Sequence, residues 1–180
     1  MQEITGPHVQ LKSGVYVDLL DPKVDSVKIN DIASGLSKIC RFTGQCDHFY
    51  SVAQHSVLCS RHAAPQDKWH ALMHDCAEAI LGDVSTPLKK LLSEYQVIEH
   101  NVEKALFDRF QVSHKPVIKS LDLRALATEK RDLMPEGAPW AILAGHEPWP
   151  EKIMPWSPER AEGIFLEQVA ELRPNSKVAA

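Results

Sequence analysis

The sequence has no CxxC pair, no membrane-length apolar run and no surplus of positive charge, and each absence removes a class of protein. The four cysteines are Cys40, Cys46, Cys59 and Cys76. Without a CxxC pair there is no zinc ribbon and no thioredoxin-like motif. All four lie in stretches that read as helical and apolar, so we expect reduced, mostly buried thiols in a cytoplasmic protein. The formal net charge is −4, so no broad basic field exists to hold a nucleic-acid duplex. A small anion is still compatible with it, held by a local Arg/Lys cluster or a bound metal. The start, MQEITGPHVQ, has neither a basic n-region nor an apolar h-region, so no secretory signal and no membrane partner are expected. Internal repeats and low-complexity tracts are absent as well.

What is present is helix-forming sequence for one domain. The chain has 180 residues, 44% of them apolar, the size and composition of a single packed core. Residues 1–26 carry Gly6, Pro7, Gly14 and Pro22 around a loosely alternating Val15–Leu20 stretch. They read as an extended N-terminal arm or short hairpin. From 27 to 180 the pattern is all-α, a bundle of roughly six helices. Asn30 or Asp31 is placed to cap the first, with Ile32, Leu36 and Ile39 as its stripe. A second helix is expected from about His48 to Ala63. A third runs from an N-cap at Asp67 through Ile80, with Gly82 as its C′ residue. Thr86-Pro87 starts a fourth, broken near Ser93 and continuing to Phe110. Pro116 to Met134 and a last helix from Ser157-Pro158 follow. The Pro/Trp-rich stretch between these two has too many breakers for one helix and reads as an ordered loop packed by Trp140, Trp149 and Trp156. The tail after Pro174 is expected to fray.

The nine histidines raise a metal question. His74 and Glu78 are one helical turn apart, and Asp75 is rotated by about 100° from His74. Asp83 follows just past the helix end. Four ionisable groups on an otherwise apolar helix are costly to bury unless paired or bound to metal. His55 and Asp122 each lie within other mostly apolar helical stretches. His, His, Asp, Asp is a mixed nitrogen and oxygen set, suited to a divalent transition ion.

The ordered pattern His55 … His74-Asp75 … Asp122 resembles the H…HD…D signature of the HD-domain phosphohydrolase superfamily. The block HDCAEAILGDVSTPLK is similar to the HD-x-x-E-x-x-x-x-D-x-x-x-P block of bacterial deoxynucleoside 5′-monophosphatases. The runs INDIA, ICRF, HFYSVAQH and LATEKRDL resemble prophage-encoded HD hydrolases over about Ile29 to Met134. The resemblance implies an HD-domain helical bundle with a metal site at its centre. His55, His74, Asp75 and Asp122 would ligate one divalent ion (Mn, Co, Fe, Zn or Mg). Glu78 would orient or deprotonate the attacking water, Asp83 would be a second catalytic acid, and Arg41 would hold phosphate. A homodimer is also implied. The sequence departs from the monophosphatases in a shorter His55–His74 interval and in Phe42, where a Trp is frequent.

Hydrolysis of a (deoxy)nucleoside 5′-monophosphate to nucleoside and phosphate is the activity this reading favours. Release of triphosphate from a deoxynucleoside triphosphate is the alternative reaction. A metal-retaining nucleotide sensor with little turnover is the alternative of another class. His48 and Lys89 join Arg41 and Phe42 as substrate-side candidates. For His48 a structural role, and for Lys89 a solvated one, is an equal alternative. The ligating histidines need acceptors for their second ring nitrogens, and the sequence does not say which groups serve.

Overall fold

A computed structural model of the chain describes residues 4–174, which are mostly helical. The frayed tail expected after Pro174 lies outside the described residues. The arm is a hairpin in which β1 (His8–Gln10) pairs antiparallel with β2 (Tyr16–Asp18), Val9 opposite Val17. Leu11, Val17 and Val24 join the main hydrophobic core. Asp31 fastens the hairpin to the first helix, α1 (Ile29–Lys38). Its carboxylate accepts the Ser13 N–H at 2.8 Å, the Ser13 hydroxyl at 2.9 Å and the Lys28 N–H at 3.0 Å. The N-cap position is therefore Lys28, and not Asn30 or Asp31 as expected. Asp31 works from the third helical position by reaching back to a free N–H.

Helix α2 (Val52–His62) is the centre of the bundle, in contact with α1, α3 (Lys68–Met73), α7 (Pro116–Leu133) and α8 (Pro158–Leu172). Ala53, Ser56 and Ser60 are fully buried, and their small side chains let neighbours approach on several sides. The Ser51 hydroxyl caps α2 by accepting the Gln54 N–H at 3.1 Å. This overturns the expected start at His48, which instead sits exposed in the preceding bend.

The long third helix is also corrected. After α3 the chain tightens through His74–Ala77 before α4 (Glu78–Leu81). Cys76 N–H bonds Met73 O at 3.1 Å, and Glu78 N–H bonds Asp75 O at 3.0 Å. These are three-residue rather than four-residue steps, so successive side chains fan out more widely than on an α-helix. Gly82, at φ +81° and ψ 162°, ends α4 as its C-cap rather than in the C′ place expected, and its N–H donates to Glu78 O at 2.8 Å. Gly35 lets α1 lie directly on α4, since a Cβ there would stand 2.8 Å from the Ala79 carbonyl oxygen.

One turn, α5 (Thr86–Lys89), precedes α6 (Ser93–Phe110), with the expected break between them. These extra breaks turn the roughly six helices expected into a larger number of shorter ones. The Pro/Trp-rich stretch is an ordered loop. Thr128 Oγ1 accepts the Trp149 N–H at 2.9 Å, Asp132 accepts the Ile153 N–H at 2.8 Å, and Gln54 holds Met154 O and Trp156 N–H at 2.9 Å each. All four cysteines are free; Cys59 and Cys76 are buried. Only Cys59 lies within an α-helix, because Cys76 sits in the tight turn and Cys40 and Cys46 flank a 3₁₀ turn at Arg41–Gly44. Among the described residues no helix is long and apolar enough to cross a membrane.

Candidate metal centre

Four of the predicted side chains meet at one point. His55 projects from α2, His74 and Asp75 from the tight turn, and Asp122 from α7. His55 Nε2 lies 3.3 Å from His74 Nε2, 3.5 Å from Asp75 Oδ2 and 3.4 Å from Asp122 Oδ1. His74 Nε2 is 3.3 Å from Asp75 Oδ1. Ligand atoms about 2.0–2.2 Å from one ion stand at such mutual separations. The tight turn supplies two of the four groups from adjacent residues.

The opposite ring nitrogens are already committed. His74 Nδ1 donates to Ala71 O at 2.8 Å, and His55 Nδ1 meets Glu129 Oε1 at 2.6 Å. Each Nε2 is thereby the nitrogen turned toward the common point, the atom that would ligate an ion once its proton has left. The two carboxylates supply negative charge. Burial acts to raise Asp122, but contact with His55 and the positive field of His55, His74 and Arg41 hold it well below the usual carboxylate range. The donor set therefore fits a divalent ion. Cys59 also comes near, with Sγ 3.7 Å from His55 Nε2, and it forms a three-residue group with His55 and His74. Burial pushes this thiol up, so it is a protonated neighbour rather than the thiolate a metal would need.

Glu129, on α7, was not singled out from the sequence. It is fully buried, and it joins His55 to Arg41, whose Nη2 lies 3.1 Å from Glu129 Oε2. Burial opposes its ionisation, but the Arg41 and His55 charges outweigh this and lower its pKa. Arg41 Nη1 is also 3.8 Å from Asp75 Oδ2. A usable signal existed: Glu129 follows Asp122 by seven positions, two helical turns, and so shares its face.

Glu78 stands beside the centre with Oε2 buried and without a hydrogen-bond partner. Burial raises its pKa well above the usual range, and the charges of Asp75 and Asp83 add to this. Asp83 is half-buried and also raised, first by burial. Phe42 is half-buried in a left-handed turn at φ +57°, with the Arg41 guanidinium 5.5 Å from its ring centre. Lys89 is paired with Glu99 in the wall of a cavity that reaches the centre. His48 is exposed and is not carried by α2.

Two cavities open onto His74 and Asp75. One, of about 530 Å³, is walled by His70, Phe107, His114, Lys115 and Lys119. The other, of about 390 Å³, is walled by Glu78, Thr86, Lys89, Lys90 and Glu99. Each is of a size to take part of a small ligand.

A partly buried His/His/Asp/Asp cluster in a helical bundle is a donor set that fits a metal ion. Residues 35–129 match the HD domain, and the chain belongs to this family of metal-dependent phosphohydrolases. It is similar to the uncharacterized protein YfdR of Escherichia coli, 42% identical over 161 residues that cover 86% of this chain and 89% of YfdR. It is also similar to an uncharacterized protein of Rhodobacter capsulatus, 38% identical over 111 residues covering 56% of this chain and 57% of that one.

Proposed function

We propose that the protein hydrolyses the phosphate ester of a small nucleotide, a (deoxy)nucleoside 5′-monophosphate, to nucleoside and orthophosphate. The observation that carries this reading is the convergence of His55, His74, Asp75 and Asp122, with both histidine Nδ1 atoms committed, beside a Glu78 carboxyl that has an unpartnered oxygen. When bound, a divalent ion lowers the pKa of water and draws charge from a phosphoryl oxygen. Glu78 accepts a proton from the attacking water, a task helped by the burial that raises its basicity. Asp83 acts beside it at the substrate. Arg41, held by Glu129 and 3.8 Å from Asp75, supplies a permanent positive charge beside the phosphate position. Phe42 stands beside Arg41, and Lys89 borders the cavity on the Glu78 side.

The triphosphohydrolase reading gains from the lysines in the two cavities. Three of them are already paired, however: Lys89 with Glu99, Lys115 with Asp67 and Lys119 with Asp122. That leaves little free positive charge for a polyphosphate and favours the monophosphate. A cytoplasmic homodimer related to prophage HD hydrolases completes the proposal.

The test is a panel of ribo- and deoxynucleoside mono-, di- and triphosphates with Mn²⁺, Co²⁺, Fe²⁺, Mg²⁺ or Zn²⁺, its products separated by chromatography. Orthophosphate from monophosphates, lost in Asp75→Ala and Glu78→Ala, supports the proposal. Triphosphate released from a deoxynucleoside triphosphate replaces the substrate. No cleavage with any metal, while metal still binds, would leave a nucleotide sensor.

A further inference from the structure

Glu129 divides its two oxygens between two groups that do different things. Oε1 holds His55 Nδ1 at 2.6 Å and Oε2 holds Arg41 Nη2 at 3.1 Å. Arg41 has a second carboxylate within reach, because its Nη1 is 3.8 Å from Asp75 Oδ2. That same oxygen is the one 3.5 Å from His55 Nε2, turned into the ligand cluster. Asp75 Oδ2 is therefore within reach of both the arginine and the metal position.

The arginine cannot escape the contest by losing its proton. Its side chain is only 11% exposed, and its Nε is buried without a partner. A charge so placed must keep a carboxylate close by. Glu129 is the nearer one, and Asp75 is what would remain.

We propose that Glu129 is a positioning residue that keeps Arg41 from closing its 3.8 Å contact with Asp75 into a hydrogen bond, so that Asp75 Oδ2 stays available to the metal, in addition to orienting His55. The inference rests on Asp75 being a ligand, as proposed above. It differs from the ordinary role of a carboxylate behind a histidine, which would act through His55 alone.

The two roles separate in a mutant cycle read by metal affinity. Metal-free wild type, Glu129→Gln, Arg41→Gln and the double variant are titrated with Mn²⁺ by calorimetry, with circular dichroism as a check of folding. Glu129→Gln keeps an oxygen for the His55 N–H but releases Arg41 toward Asp75. Its Kd for Mn²⁺ is expected to rise by roughly 10–100-fold. In the double variant no arginine remains to compete, so Mn²⁺ affinity should recover by about fivefold or more, within the coupling seen between residues in contact. Arg41→Gln alone should bind Mn²⁺ at least as tightly as wild type.

An unchanged Kd in Glu129→Gln, or a double variant as weak as Glu129→Gln, overturns the inference. If Glu129→Gln does not fold, Arg41→Gln decides, since weaker Mn²⁺ binding by that variant also overturns it. Wild type that binds no Mn²⁺, or Asp75→Asn that binds it normally, sinks the ligand reading itself and is told apart by that control.

Discussion

Gly35 on α1 rests against the backbone of Ala79 on α4, so closely that a Cβ at position 35 would come within 2.8 Å of the Ala79 carbonyl oxygen and 2.9 Å of its Cβ. Both clashes are with atoms that cannot swing aside. Gly35→Ala should therefore push α4 outward and cost about 1–3 kcal/mol of stability. Because α4 begins with Glu78, turnover should fall more than metal binding does. Thermal denaturation, Mn²⁺ titration and nucleotide hydrolysis on one preparation would check this. A variant as stable and as active as the parent would show that the helices do not touch there.

Metal loading should stabilise the fold. An ion present at about a hundred times its Kd adds roughly 2.7 kcal/mol, which in a domain of this size is a rise in Tm of about 5–10 °C. His74→Ala, Asp75→Asn and Asp122→Asn should each abolish most of that rise. A metal-induced shift of equal size in all three variants would place the ion elsewhere.

The raised pKa of Glu78 carries a cost whose sign can be worked out. Folded, the group holds its proton more tightly than in the unfolded chain. Between the ordinary glutamate pKa and the raised one, the native state binds more protons, so stability falls as pH rises through that window. Glu78→Gln resembles the protonated form. The metal-free variant should be more stable than the parent at neutral pH, with the difference vanishing in acid below the ordinary glutamate range. Hydrolysis should be lost at every pH. Urea melts across pH would show the convergence, and parallel curves would refute it.

Ser157 caps α8 by accepting the Arg160 N–H at 3.3 Å. Ser157→Ala should cost about 1 kcal/mol, lowering Tm by about 2–4 °C without altering metal affinity. Calorimetric melting and Mn²⁺ titration together separate this stability effect from any change at the centre.

Where the sequence carried explicit punctuation, it was readable. Ser157-Pro158, Pro116 and Gly82 mark helix ends that the structure confirms, because caps and ring constraints act locally. Ser51 and Gln54 form an S-x-x-Q pattern that marks the true start of α2, but the apolar Phe49 and Tyr50 before it extended the apparent helix backward. The break after Met73 has no local signal: nothing in His74–Ala77 forbids an α-helix, and only packing selects the tighter turn. The convergence of His55, His74, Asp75 and Asp122 was foreshadowed by resemblance and not by periodicity. Glu129 lies in a run of charges, Glu129, Lys130, Arg131 and Asp132, where its two-turn spacing from Asp122 is the one sequence signal that sets it on the ligand face.

The proposed ligands come from α2, the turn after α3 and the middle of α7, with α2 in contact with α1, α3, α7 and α8. No isolated segment of the chain holds more than the His74–Asp75 pair. On the proposed ligand set, a chain whose α7 has not yet docked onto α2 lacks the fourth group, so the grip on an ion would tighten as that helix settles.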